Sequence, residues 1–280
     1  MIAIYNIHDM DMDMDMDSLS SVNRKQGFTL LELSIVLVII GLIIGGITAG
    51  ADLIRSAELQ NVLKERKFIA TSIRTFELKY NALPGDMDNA TAYWGAADNN
   101  PTTCQGTEGS GTETCNGDGD GRIDQYANGN VSYERHRFWQ HLANSGIISG
   151  NYKGVGTGAY VNIPGAENTY QSKLSTAYWM PYYKDYDTSG NPNIFDSDAR
   201  GNMFRFGALN PNAGVSDAAL TPAELFNIDT KVDDGKPARG TVFARFWNTC
   251  TTAASSADLN ADYLLSESQV VCAVNFRSLY

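Results

Sequence analysis

Positive charge is in short supply in this chain: 21 Lys and Arg stand against 32 Asp and Glu, a net charge of -11. No Lys/Arg-rich stripe exists to neutralise phosphates, so direct nucleic-acid binding is not expected. Cysteine is scarce as well. Cys104, Cys115, Cys250 and Cys272 fall into two local pairs, neither with the two-residue gap of a zinc or thioredoxin-like site. No G-x-S-x-G, H-E-x-x-H or P-loop pattern occurs, and the scattered carboxylates supply no acid–base pair. The chain is expected not to be an enzyme.

Charge is missing altogether from the 19 positions between Leu33 and Ala51, close to the ~20 needed to span a bilayer as a helix. Arg24 and Lys25 precede this run, which by the positive-inside rule keeps its N-terminal end cytoplasmic. Everything after Asp52 then lies across the membrane. Four cysteines in that compartment read as two disulfides, the alternative being four reduced, buried thiols. The apolar run continues without a break into a long helical pattern, unlike an ordinary secretory signal. It also begins oddly, with one carboxylate, Glu32, just inside it. An unpaired charge is expensive in lipid.

The segment "KQGFTLLELSIVLVIIGLI" closely resembles the N-terminal signature of type IV prepilins and type II secretion pseudopilins. The resemblance implies that a prepilin peptidase cuts between Gly27 and Phe28 on the cytoplasmic face and methylates the new amine of Phe28. It also gives Glu32 a purpose: in a helical filament its carboxylate meets the N-terminal amine of a neighbouring subunit, and an opposite charge makes burial tolerable. Snorkelling of Glu32 to the headgroups is the alternative. Two features depart from the pattern. The leader is long, with a Met/Asp alternation, so the true start is expected at Met16. Ala49 stands where many major pilins carry a proline, which leans towards a pseudopilin or minor pilin.

Beyond the apolar run, Leu59, Val62, Ile69, Ile73, Phe76 and Tyr80 recur at helical spacing with charges between them, an amphipathic helix. It stops at Pro84–Gly85, a pairing typical of a type II turn. Residues 1–27 are thus expected to be a leader, 28–51 a transmembrane helix half, 52–83 an amphipathic half, and 84–280 a periplasmic or extracellular head. Gly, Asn, Asp and Thr dominate the head, favouring strands and long loops. One helix is expected around Phe138, Trp139 and Leu142, ending at Asn144–Ser145–Gly146. His136 and His141 are five apart, off ligand spacing, and read as structural or solvated. The fold class is α+β: a long N-terminal helix packed on a loop-rich, mainly β head, as in pilins.

"CNGDGDGRIDQY" is the sharpest chemical signal in the head. Asn116, Asp118 and Asp120, then Gly121, the Arg122 carbonyl and Asp124, match the first half of a calcium loop. Position 12 is Ala127 in place of glutamate, and Glu134 could substitute only by folding back. A solvated Asp/Gly turn is the alternative. Asp229, Asp233 and Asp234 form a second candidate. They look like the acidic C-terminal segment that holds calcium in some pseudopilin-like proteins, although a plain turn fits equally. Bound Ca2+ would be structural, with no other cofactor. The resemblance further implies that Cys250 and Cys272 close a terminal loop.

The expected function is a filament subunit, drawn from the inner membrane by an assembly platform into a pilus or periplasmic pseudopilus. Its partners are copies of itself or other pilins. The alternative is a membrane-tethered binding protein whose head recognises a surface or a secreted substrate.

Overall fold

In the computed structural model the described residues are 27–100, 104, 106–124, 134–155, 167–174, 176–184, 194–195, 200–210 and 214–277. Leader residues 1–26, including Arg24 and Lys25, and Ala127 lie outside them. The chain divides into two compact units, one through Asp52 and one from Leu53 onward.

Helix α1 runs over Leu30–Tyr80 and belongs to both units. Its first part is apolar on every face and exposed on every face, from Leu30 at 88% to Leu42 at 72% and Ile47 at 66%. It is long and apolar enough to cross a membrane. In the second unit the same helix becomes one-sided. Val62, Glu65, Ile69, Ser72, Ile73 and Phe76 are buried, at the three- and four-residue steps that bring side chains onto one face.

That face packs on an antiparallel sheet. Strands β1 (Tyr170–Gln171), β2 (Ala177–Lys184), β3 (Gly201–Asn210), β4 (Gly214–Asp217), β5 (Val242–Arg245) and β6 (Ala273–Arg277) lie in the order β1-β2-β3-β6-β5, with β4 on β3. Trp179, Phe204, Phe206, Val274 and Phe276 join Ile69, Ile73 and Phe76 in one core. The α+β class, with a long N-terminal helix on a loop-rich antiparallel head, is therefore observed.

Among the described residues the head also contains the short helices α2 (Ala90–Trp94), α3 (Glu134–Asn144), α4 (Pro222–Val232) and α5 (Trp247–Cys250). The expected helix around Trp139 is α3. Helix α4 was not expected, yet it carries a local start signal in Thr221-Pro-Ala-Glu224. Proline sits in its first turn, and Thr221 and Glu224 cap one another.

The structure joins Cys104 to Cys115 and Cys250 to Cys272, all fully buried. The first loop is fastened to α3 by buried polar side chains. Arg137 Nη2 donates to the carbonyls of Cys104 and Thr107, each at 2.9 Å, and Gln140 Nε2 to that of Glu113 at 3.1 Å. His141 Nδ1 accepts from the Gly85 N–H at 3.0 Å, so its Nε2 carries the proton towards Thr114 Oγ1, also at 3.0 Å. Burial pulls His141 down to about 3, with the Arg137 charge adding to it, and holds it neutral as a brace. His136 is buried too.

Candidate functional site

Three groups of residues qualify: the start of α1 and two acidic clusters in the head. At the start of α1, Gly27 has open space around it and Phe28 is 84% exposed. Thr29 caps the helix. Its N–H and its hydroxyl both donate to Glu32 Oε2, at 2.8 and 2.9 Å, and the Glu32 N–H donates back to Thr29 Oγ1 at 3.2 Å. This is a reciprocal capping box, satisfying donors that a helix start leaves unpaired. Glu32 has no cationic partner among the described residues.

The first acidic cluster is built on a turn. Leu83–Met87 folds back after α1, and Gly85 takes φ +90°, as the third position of a type II turn requires. A Cβ on Gly85 would collide with the Glu134 carbonyl. The turn delivers Asp86, a residue that the sequence pattern around 116–124 does not reveal. Asp86 Oδ1 accepts from Gly119 N–H at 2.8 Å and Asp120 N–H at 3.1 Å, and its Oδ2 accepts from Gly121 N–H at 2.9 Å. Carboxylate oxygens of Asp86, Asp118 and Asp120 all lie within 4.8 Å of one another.

Glu134 does fold back. Its two oxygens accept from the N–H groups of Asp118, at 3.1 Å, and Asp124, at 2.7 Å. Asn116 is turned elsewhere: its Oδ1 accepts from Thr91 N–H at 2.8 Å, at the start of α2. The Arg122 guanidinium is 3.5 Å from Asp120 and lies over the Tyr183 ring. Burial pushes Asp86 up to about 7, helped by the charges of Asp118 and Asp120 and opposed by the Gly121 and Gly119 N–H groups. Burial likewise pushes Glu134 up to about 8, against the Asp124 and Asp118 N–H groups and with the Asp86 and Asp118 charges. Asp124 is raised by burial, then by Asp120 and Asp118.

The second cluster is Asp229, Asp233 and Asp234 at the end of α4. Asp229 and Asp233 are one helical turn apart, a spacing hidden until α4 is known to be a helix. Asp229 is fully buried. Its Oδ2 accepts from the Tyr263 hydroxyl at 2.7 Å and its Oδ1 from Gly235 N–H at 3.3 Å. Asp233 Oδ2 accepts from the N–H groups of Thr241 and Val242. Tyr263 lies in the terminal loop closed by Cys250–Cys272, so that loop helps to hold the cluster. Burial raises Asp229 to about 7. Both clusters offer only oxygen donors and carry several negative charges, which suits a hard divalent cation. Each could chelate one.

The scan of known families decides what the start of α1 is. Residues 22–48 match the family described as Prokaryotic N-terminal methylation motif. This is the type IV pilin and pseudopilin signature. It covers the N-terminal segment alone and leaves the head unmatched. No curated protein and no solved structure matches the chain. The prepilin-type signature and the helix-on-sheet fold are together consistent with a pilin or pseudopilin. The signature implies handling by a prepilin peptidase, and the long apolar helix behind it is consistent with a single membrane anchor.

Proposed function

We propose that this protein is a pilin-like subunit, cut by prepilin peptidase between Gly27 and Phe28, N-methylated on Phe28, and assembled into a type IV pilus or type II secretion pseudopilus. The observation that carries the reading is the methylation motif over residues 22–48, running into a helix half that is exposed on all sides. Such a surface needs lipid or other apolar helices around it. Residues 1–27 act as leader, 28–51 as the inner-membrane anchor with its start in the cytoplasm, 52–83 as the head-bound helix half, and 84–280 as the head on the far side. Glu32 receives the N-terminal amine of a neighbouring subunit, which sets the register of assembly. A tethered binding head remains the second reading, because the motif says nothing of the head.

Calcium is the cation best suited to the clusters, because flexible loops of many carboxylate and backbone oxygens favour it over magnesium. Asp86, Asp118, Asp120 and Glu134 supply the first site, with Asp124 beside them, and Asp229, Asp233 and Asp234 supply the second. The cation's role is to hold loops in place.

The test is the mass of the N-terminal peptide from membranes with and without an active prepilin peptidase. A peptide starting at N-methylated Phe28, found only with the peptidase, is the expected result. An intact leader in both samples would reduce residues 28–51 to an anchor and leave the head's ligand as the function.

A further inference from the structure

The sheet of the head has two buried faces. Strand residues alternate between them, and Trp179, Phe204, Phe206, Val274 and Phe276 point towards α1. The residues between them face the other way. There Met180, Tyr182, Met203 and Phe243 are accompanied by Arg205, Arg245 and Asn275, all of them retaining 9% exposure or less. Arg205 pairs across the ladder with Asn275, which also pairs with Phe243, while Arg245 pairs with Ala273. The two arginines therefore flank strand β6 from either side, one same-face step apart.

Several of their polar atoms have no partner among the described residues. Arg245 Nε and Nη1, Arg205 Nε and Asn275 Oδ1 are all buried and make no hydrogen bond. Arg205 has only a 3.5 Å contact from Nη1 to the Val215 carbonyl and a stacked position 4.6 Å from the Tyr182 ring centre. Arg245 lies 5.5 Å from the Phe246 ring centre. No carboxylate among the described residues comes within ion-pair distance of either guanidinium.

The groups that might have served are committed elsewhere. Asp217 favours the charged form of Arg245 from a distance, but its Oδ1 accepts from Asn210 Nδ2 at 2.9 Å and Ser216 Oγ at 3.5 Å. The Tyr182 hydroxyl donates to Met203 Sδ. Burial, followed by the Arg205 charge, pulls Arg245 down to about 9, which leaves it charged at neutral pH. Buried charges are normally paired, and two of one sign on one face are costlier still. A planar guanidinium fork matches the two oxygens of a carboxylate or phosphate.

We propose that Arg205 and Arg245, with Asn275 between them, form a binding site for a small oxyanion, a phosphate or carboxylate group, on the face of the sheet opposite α1. Turning the Asn275 amide over places its NH2 where the unpaired oxygen now lies and adds a donor. The site belongs to the head and does not depend on filament assembly.

The test is thermal unfolding of the full-length protein in uncharged detergent, followed by tryptophan fluorescence, in chloride, phosphate or succinate at equal ionic strength. Phosphate, succinate or both should raise Tm by about 5 °C at roughly a hundredfold excess over half-saturation. A response to phosphate alone identifies a phosphate-bearing ligand, and one to succinate alone a carboxylate. Arg245→Met should abolish the rise while melting no lower than wild type in chloride, because it removes an unpaired charge. Arg205→Lys keeps the charge, loses the fork, and should weaken half-saturation at least about tenfold. The exposed Arg74→Gln should leave the rise intact. Equal Tm in all three salts, an undiminished rise in Arg245→Met, or unchanged half-saturation in Arg205→Lys would overturn the site.

Discussion

The chain uses one four-residue device twice. Thr29–Glu32 opens α1 and Thr221–Glu224 opens α4. In both, the threonine N–H donates to the glutamate carboxylate at 2.8 Å and the glutamate N–H donates back to the threonine hydroxyl at 3.2 Å. The local geometry is the same; the surroundings are not. Glu224 also receives Arg55 from α1, Nε to Oε1 at 2.5 Å and Nη2 to Oε2 at 2.9 Å. Burial pushes the Glu224 carboxyl up, but the Arg55 and Thr221 bonds outweigh it and hold it below its ordinary value. Among the described residues Glu32 has Thr29 alone. A capping box fixes where a carboxylate stands, and the source of its counter-charge decides whether it ties one molecule together or two.

The strongest way to break this comparison is Glu32→Gln, which keeps a side-chain oxygen for the cap and removes the charge. If the counter-charge comes from another subunit, the variant should enter sheared filaments at least about tenfold less than wild type, a loss of ~1.4 kcal/mol or more of assembly energy. The melting temperature of its head should not move. Incorporation at the wild-type level, measured by immunoblot of the filament fraction, would end the assembly role of Glu32.

The acidic clusters extend the comparison, since they too are carboxylates for which the described residues supply little cationic charge. Asp86, Glu134 and Asp229, at about 7, 8 and 7, hold their protons more tightly folded than unfolded. Their contribution is full below pH ~4 and is lost as pH rises through the folded values. His136 and His141, both lowered by burial, act in the opposite sense, but only below their unfolded value near 6.5. Between pH 6.5 and 8.5 the carboxylates dominate. In chelator, Tm should therefore fall by about 3 °C or more over that range, and calcium should restore more of it at pH 8.5 than at 6.5. A flat profile in chelator would show that these carboxyls are solvated.

How far the sequence shows this architecture depends on the range of the signal. The apolar run, the stripe from Val62 to Phe76, the Pro84–Gly85 turn and α3 are written in local spacing, and the structure contains them. Helix α4 has an equally local signal in its capping box, obscured by the reading of Asp229 to Asp234 as an acidic turn. Asp86 is different in kind. It lies far along the chain from Asp118 and reaches it through a turn in which only a glycine at position 85 fits beneath the Glu134 carbonyl. The unpaired Arg205 and Arg245 are likewise invisible until the ladder registers are known.

Glu224→Gln sharpens the comparison from the head's side. It leaves the cap and weakens the bond to Arg55, a largely buried pair, so its cost should be about 1–2 kcal/mol, or several degrees in Tm. A Tm equal to wild type would mean that solvent screens the pair completely.

The smallest effects come from the threonines, and they isolate the caps themselves. Thr221→Ala deprives the Glu224 N–H of its acceptor at a half-buried helix start and should cost the head about 1 kcal/mol. Thr29→Ala removes the same bond from α1, where the first turn is exposed and no head residue depends on it. It should therefore leave the melting of the head unchanged. Its effect should appear only as fraying, read as faster amide exchange at residues 30–33 in micelles. Equal losses of head stability in the two variants would mean that the start of α1 is coupled to the head's folding, and the two boxes would then be doing one job rather than two.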